Sequence, residues 1–321
     1  MSETLNFPLA SIIIPTYNGM RFLPTCLEAL HGQTYTRHEI IVVDDASSDE
    51  TVSYLQTTEP TVRVVQMASN RGLAAACNAG AAVAHGDILV MLNNDTEVER
   101  GWLAEMILPF AHPEVGSVAS KMLLFDRRAV LHSAGDMMGA DGIPRNRGVW
   151  EEDRGQYDQE MAVFGGCGGA VAYRRAMWEQ VRGFDEDLFM YMEDVDLAWR
   201  ARLAGWTARF APRARVYHHL SATGGGVLAS YYTGRNTIWV LYKNMPTSLL
   251  RRYWPTIIMA QLRIAGAAAW AGLRGGAAAR ARLRGQLDGL RTLSRLRAKR
   301  AFVQADRRVT DEEIDGLLLK S

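Results

Sequence analysis

"GDILVMLNNDTEV", residues 86–98, turns from an unbroken apolar run at Ile88–Leu92 into two carboxamides and a carboxylate. A continuous apolar run of that length suits a strand buried on both faces, as in a parallel sheet. The same theme appears twice before it. "SIIIPTY" (11–17) is a β-branched run ended by a turn, and "EIIVVDDASSDET" (39–51) places Asp44 and Asp45 at the end of another. "VRVVQM" (62–67) is a further strand. Between these runs, "RFLPTCLEALHGQT" (21–34) carries apolar residues at helical spacing, "SSDETVSYL" (47–55) reads as a capped helix start, and "NRGLAAACNAGAAVA" (70–84) as an Ala-rich helix. Strands alternating with helices predict a mainly parallel sheet covered by helices on both faces. Ligands of such sheets bind beyond the carboxyl ends of the strands. Asp45 and Asp95 are therefore expected to converge there, although each alone has a plainer reading, Asp45 as a helix cap and "NND" as a solvated turn.

The composition narrows the function. With 321 residues, 48% of them hydrophobic and 22% charged, the chain can bury a full core in one large or two closely joined domains. Lys and Arg number 36 against 35 Asp and Glu, so there is no basic field of the kind nucleic-acid partners require. Cys26, Cys77 and Cys167 are odd in number and widely spaced, which fits a reducing compartment better than a disulfide framework. "MSETLNFPLA" lacks a basic segment followed by an apolar one, so no secretory signal is expected and the protein reads as cytoplasmic.

From Val115 to Asp158 the pattern is irregular and punctuated by Gly135, Gly139, Gly142, Pro144 and Gly148, predicting strands and exposed loops. "FGGCGGAVAYRR" (164–175) has four glycines ahead of a strand-like run, letting backbone approach a ligand closely; no Gly-Lys-Ser/Thr follows, so it is not a phosphate-binding P-loop. "LFMYMEDVDLAWRARLAGW" (188–206) places Glu193, Asp194 and Asp196 in the first turn of a helix ending near Gly205. An i,i+4 pair with Arg200 suffices for Asp196. Glu193 and Asp194 instead follow an aromatic and Met-rich stretch that looks like a pocket wall. Neighbouring carboxylates in such a pocket raise one another's pKa, which suits a general base, while the helix N-terminus acts the other way. "ARVYHHLSATGGG" (214–226) ends a strand at His218 and His219, whose side chains point to opposite sides, so one of them can complete a divalent-metal site with Asp95.

Taken in order, "SIIIPTYNG", "IIVVDDASSDET", "NRGLAAACNAG", "GDILVMLNNDTEV", "GGCGGAVAYRR", "GFDEDLFMYMEDVDLAWRARLAGW" and "VYHHLSATGG" resemble the family 2 glycosyltransferases of the GT-A fold, especially their bacterial rhamnosyltransferase-like branch, over about residues 9–245. The resemblance implies an α/β GT-A fold with a Rossmann-like mixed sheet, and an inverting displacement at the anomeric carbon of a nucleotide-diphosphate sugar linked to dTDP or UDP. It assigns Thr16, Tyr17, Asn18 and Asp45 to the nucleotide pocket, with Asp45 on the nucleobase. Asn70, Arg71 and Gly72 shape the nucleotide-sugar site, where Asn93 and Asn94 also fall. Asp95 is the remaining acid of a DxD-type metal motif whose first acid is replaced by Asn93. His218 is the metal-associated histidine, and Asp194, with Glu193 beside it, the catalytic base. The expected cofactor is divalent Mg or Mn. Arg235 and Asn236, ahead of "YKNMP", also resemble the branch without an evident role.

After that motif the composition shifts, which divides the chain into a catalytic domain at 1–245 and a helical C-terminal extension at 246–321. "LLRRYWPTIIMAQLRIAGAAAWAGL" (249–273) is apolar but broken by Gln261 and Arg263, and the Arg-rich segment after it has Asp288 as its one acid. Two readings stay open: attachment to the cytoplasmic face of an anionic inner membrane, which suits a lipid-linked glycan acceptor, or a helical hairpin used in packing or homo-oligomerisation. "TDEEIDGLLLKS" (310–321) begins like a capping box. Two other functions compete. A sugar nucleotidylyltransferase needs a Gly-rich, Arg/Lys-bearing loop after its first strand, which "PTYNGMRFLP" does not supply. A non-catalytic nucleotide-sugar-binding or scaffold protein would bind a donor without turning it over.

Overall fold

The computed structural model describes residues 8–219 and 226–320. Its first half repeats strand and helix: β1 (Ala10–Thr16), α1 (Leu23–His31), β2 (His38–Asp44), α2 (Thr51–Thr58), β3 (Arg63–Gln66), α3 (Leu73–Val83), β4 (Ile88–Leu92), β5 (Thr96–Val98) and α4 (Trp102–Ile107). A strand-rich middle follows, with β6 (Val115–Leu124), β7 (Leu131–Ser133), β8 (Asp136–Gly139), β9 (Pro144–Asn146) and β10 (Ala170–Arg174). Then come α5 (Arg175–Gln180), α6 (Glu193–Leu203) and β11 (Thr207–His218). The C-terminal part consists of α7 (Gly226–Asn244), α8 (Thr247–Leu273), α9 (Ala277–Arg291), α10 (Arg297–Ala305), α11 (Asp311–Leu317) and β12 (Leu318–Leu319).

Among the described residues the main sheet runs β3-β2-β1-β4-β10-β6-β11-β5, with β7 on the edge of β6. Strands β3, β2, β1 and β4 are parallel, whereas β10 runs antiparallel to both β4 and β6. That reversal positions the site. The carboxyl ends of β1, β2 and β4 and the amino end of β10 meet at one edge, where Thr16 pairs with Asp44 and Leu92 with Ala170.

The apolar runs cover both faces because successive residues alternate sides. Ile12 and Ile14 pack with Leu27, Leu30, Trp102 and Met106, while Ile13 packs with Ala74, Cys77, Met91, Trp178 and Leu197. The middle segment, predicted as strands with exposed loops, is more buried than that. All of β6 is buried in the centre of the sheet, and β8, β9 and β12 build a second, smaller sheet.

The C-terminal helices complete a further core. Trp199 and Leu203 of α6 share it with Trp239, Met245, Leu249, Leu296, Val303, Ile314 and Leu318. Helices α7 and α9 approach through glycines: a Cβ on Gly285 would lie 2.1 Å from the Tyr231 carbonyl oxygen, and one on Gly234 2.4 Å from that of Arg282. Helix α8 stands outside this packing along much of its length. It is the one helix among the described residues long and apolar enough to cross a membrane, and 17% of its most apolar window is buried.

Candidate active site

The loop between β3 and α3 is held by a carboxylate that follows β2. Asp45, 4% exposed, accepts the backbone N–H of Arg71 on Oδ1 and that of Gly72 on Oδ2, both at 2.8 Å. Burial raises its pKa and those two donors oppose the rise. Asp45 therefore shapes the Asn70–Gly72 turn rather than capping α2; the loop ahead of α2 is held by Asp44, which accepts from the Ser47 N–H, and Asp49, which accepts from the Thr51 N–H. Gly72 has φ 85°, and a Cβ there would lie 2.5 Å from the Phe189 oxygen, so the turn requires glycine. The Asn18 N–H donates to Ser47 Oγ, and Asn18 Oδ1 accepts the Ser48 N–H, tying the β1 loop to the β2 loop. Tyr17 is half exposed beside it. Thr16 Oγ1 accepts a 2.8 Å bond from Asn94 Nδ2, which joins the ends of β1 and β4.

Asp95 lies next to that junction, 2% exposed, with Oδ1 3.2 Å from His218 Nε2 at the end of β11. Two ligands in adjacent positions around one divalent ion stand roughly 3 Å apart, given bonds of about 2.0–2.3 Å. The pair therefore fits a cation, with a hard carboxylate oxygen and an imidazole nitrogen as donors. His218 Nδ1 meets His132 Nδ1 at 3.2 Å, and the two rings stack with centroids 5.0 Å apart. Burial, and then His218, lowers the His132 pKa to about 4, so His132 is neutral and its Nδ1 lone pair can accept from His218 Nδ1–H. That tautomer leaves His218 Nε2 bare toward Asp95, the arrangement metal-ligating histidines adopt. His219 points away, its ring stacked on Phe125 at 3.6 Å and near Phe22 at 5.0 Å. With Arg21, Thr25, Asp95 and Thr96 these rings line a cavity of about 200 Å³.

Asp194 enters from the start of α6. Its Oδ2 accepts the Gly168 N–H and its Oδ1 the Val195 N–H, each at 2.7 Å. The glycine-rich loop before β10 is thus the seat of this carboxylate: a Cβ at Gly168 would lie 3.1 Å from Asp194 Oδ2 and 3.2 Å from Glu193 Oε1. The same loop reaches β4, where the Asn93 N–H donates to the Gly169 oxygen at 2.9 Å. Burial raises the Asp194 pKa against its backbone donors, and it pushes Glu193 up to about 8, with the Asp194 charge adding to the rise. Asp196 turns away into the protein, paired with Arg200 at 2.7 Å and Lys243 at 2.7 Å.

Two further residues of this cluster had no role assigned from the sequence, Cys167 within the glycine-rich motif and Asp136 outside any motif. Asp136 and Cys167 place ligand-type atoms within 4.8 Å of Asp194 and of each other. Burial and then the Asp194 charge raise the Asp136 pKa well above the usual carboxylate range, and the Ser133 hydroxyl donates to it at 3.0 Å. Asp136 and His132 both come from the irregular middle segment, whose short strands gave no periodic signal. The "SATGG" part of the last motif, Ser221–Gly225, lies outside the described residues. Around this sheet edge lie the Asp45-held turn, the Asp95–His218 pair and the half-buried Asp194.

Comparison with known proteins follows the same line. Residues 11–182 match the family described as glycosyl transferase family 2. The chain belongs to that family. It is 32% identical over 232 residues to the O-antigen biosynthesis protein RfbC of Myxococcus xanthus, a match covering 67% of this chain and 18% of that protein. It is 27% identical over 245 residues to an N-acetylglucosaminyl-diphospho-decaprenol L-rhamnosyltransferase of Mycobacterium tuberculosis, covering 68% of this chain and 79% of the relative. The chain spans a quarter or less of the length of the curated relatives matched at 31% and 32% identity. Among solved structures, the mannosyltransferase PcManGT of Pyrobaculum calidifontis, with GDP-Man and Mn2+, superposes with a TM-score of 0.58 at 20% identity over 94% of this chain and 88% of that one. The fold is GT-A, as the motif order implied.

Proposed function

We propose that this family 2 member is an inverting glycosyltransferase that moves a sugar, with L-rhamnose the leading candidate, from a dTDP- or UDP-linked donor to a hydroxyl of a glycan or lipid-linked acceptor in bacterial surface polysaccharide synthesis. One observation carries it: the Asp45-held turn, the Asp95–His218 pair and the half-buried Asp194 meet at a single sheet edge. In this reading the acceptor oxygen attacks the anomeric carbon as Asp194 takes its proton. The C–O bond to acceptor forms, the bond to the diphosphate oxygen breaks, and the nucleoside diphosphate leaves with the electron pair. A divalent cation held by Asp95 and His218 would neutralise the charge growing on the departing diphosphate. The Asn70–Gly72 turn and Thr16–Asn18 orient the nucleotide. The rhamnosyltransferase name of the mycobacterial relative and the O-antigen name of the myxobacterial one support the sugar and the pathway class.

The lipid-linked acceptor gains support from α8. Trp254, Ile258, Leu262, Trp270 and Leu273 are exposed along it, and Arg274 through Arg297 add positive charge with Asp288 as the one acid. An exposed aromatic and apolar face beside arginines matches peripheral binding to the cytoplasmic face of an anionic inner membrane.

The deciding experiment is nucleoside diphosphate release from dTDP-L-rhamnose, UDP-N-acetylglucosamine and UDP-glucose, each with Mn2+, Mg2+ or chelator, alongside thermal shifts with UDP and dTDP. Metal-dependent turnover of one donor supports the proposal and names the donor. Binding without turnover in any acceptor mixture would instead favour a non-catalytic nucleotide-sugar-binding protein.

A further inference from the structure

The loop that delivers Glu193 and Asp194, Asp185 to Met192, is held by a helix beyond the catalytic sheet. Phe189, Tyr191 and Met192 have φ of 66°, 63° and 72°, angles that side chains other than glycine rarely adopt. A run of such residues keeps its shape only when surrounding groups impose it. Those groups come from α7. Asn236 is fully buried, and its Nδ2 donates to the carbonyl oxygens of Leu188 at 3.0 Å, Met190 at 3.0 Å and Tyr191 at 2.8 Å. Arg235 Nη2 donates to the carbonyls of Asp187 at 2.7 Å and Leu188 at 3.1 Å, and its Nε donates to Asn236 Oδ1 at 2.8 Å. Its guanidinium lies over the rings of Trp239 and Tyr232, 4.2 and 4.8 Å from their centroids, which fixes its direction. The far side of the loop touches the nucleotide turn, where the Phe189 oxygen accepts the Ala74 N–H at 3.1 Å.

We infer that Arg235 and Asn236 are positioning residues for the reaction: they clamp the backbone of Asp187–Tyr191 so that α6 begins at Glu193 and Asp194 is seated on the Gly168 N–H. The inference rests on the reading of Asp194 as the base. Three carbonyls of one strained loop converge on one buried amide, and no apolar side chain could replace that amide without leaving them unpaired. An amide is also selective here, since Asp at 236 would bring acceptors to a nest of acceptors. The charged pairs beside the clamp, Lys243 with Asp185 at 2.6 Å and Lys299 with Asp187 at 2.5 Å, brace the start of the loop and leave Leu188–Tyr191 to the clamp.

Asn236→Ala and Arg235→Met, in the full chain, separate positioning from simple folding. Hydrogen exchange, which needs no substrate, should quicken by about tenfold or more at the amides of Met190–Asp196 while those of Arg71 and Gly72 stay unchanged. With dTDP-L-rhamnose or UDP-N-acetylglucosamine and Mn2+, kcat should fall by about a hundredfold, the scale of a misplaced catalytic group, with donor KM little changed. Arg235→Lys, which keeps one donor, should recover part of the loss. Unchanged loop exchange overturns the inference, as does a kcat loss no larger than the fall in folded fraction. If Asn236→Ala does not fold, Arg235→Met decides by the same two readings. Asp194→Asn keeps the two failures apart: full turnover by that variant removes the base assignment, whereas the loop-exchange result judges the clamp on its own.

Discussion

Glu193 is buried and Asp194 beside it half-buried, and the two have different partners. Asp194 has an N–H donor on each oxygen, while Glu193 Oε2 has no hydrogen-bond partner among the described residues. With its carboxyl raised to about 8, Glu193 holds a proton at pH 7 and cannot take another. Asp194 can. Near-isosteric substitutions test this division. Asp194→Asn should lose about 10²–10⁴-fold in kcat, roughly 3–5 kcal/mol of transition-state stabilisation, while Glu193→Gln at pH 7 should change kcat by only about threefold.

Stability gives an independent reading of the same pair. A carboxyl whose folded pKa is raised binds its proton more tightly folded than unfolded. Its contribution is then fully present below the unfolded value near 4.5 and is lost as pH rises toward 8. At about 1.4 kcal/mol per unit, Glu193 alone accounts for a loss on the order of 5 kcal/mol across that window. Asp194, also raised, adds in the same direction. Glu193→Gln should therefore match wild type near pH 4 and exceed it at pH 8, measured by urea denaturation. Parallel stability curves for the two proteins, or a Glu193→Gln variant as inactive as Asp194→Asn at pH 7, would refute the reasoning.

Four further outcomes follow from the geometry. His132→Ala should weaken Mn2+ binding about ten- to a hundredfold by calorimetry, because it releases the His218 ring, and Asp95→Ala should abolish metal-dependent stabilisation by UDP or dTDP; unchanged metal affinity in either would remove that residue from the site. Gly72→Ala should destabilise the fold by about 1–3 kcal/mol in chemical denaturation, since the methyl meets Phe189 at a positive φ, and a neutral result would mean the turn relaxes freely. Trp254→Glu with Trp270→Glu should end co-flotation with phosphatidylglycerol vesicles while turnover of a soluble donor continues, and retained flotation would place the membrane contact elsewhere.

Those residues were legible in the sequence to different degrees, and for physical reasons. Asp45 and Asp95 could be brought together because buried parallel strands are continuous apolar runs and their carboxyl ends share an edge. Glu193 and Asp194 stood out because two acids opened a helix behind an aromatic stretch. What Asp45 does was not legible: its carboxylate binds backbone N–H groups 26 and 27 residues away, a contact no local pattern encodes. His132 and Asp136 were missed because β7 and β8 are three and four residues long, too short for a period to show. Arg235 and Asn236 were visible as a motif only, since their partners are carbonyl oxygens, to which every residue contributes alike.

The C-terminal helices bear on catalysis as well as on location. Trp199 and Leu203 lie on α6, the helix that begins with the base, and their core is closed by Leu249, Leu296, Val303, Ile314 and Leu318 from beyond residue 245. Uncovering only four large apolar side chains costs about 6–12 kcal/mol, comparable with the whole stability of an ordinary domain. A chain ending at Met245 should therefore be insoluble or lack cooperative unfolding, although it keeps every residue assigned to the donor, the metal and the base. Circular dichroism melting and nucleotide-induced thermal shift on that truncation give the answer. A cooperatively folded, donor-binding 1–245 fragment would show that the α6 core closes without the extension. Failure to fold would mean that the α6 core needs the C-terminal helices, so that a perturbation among them reaches the start of α6 through the core the two share.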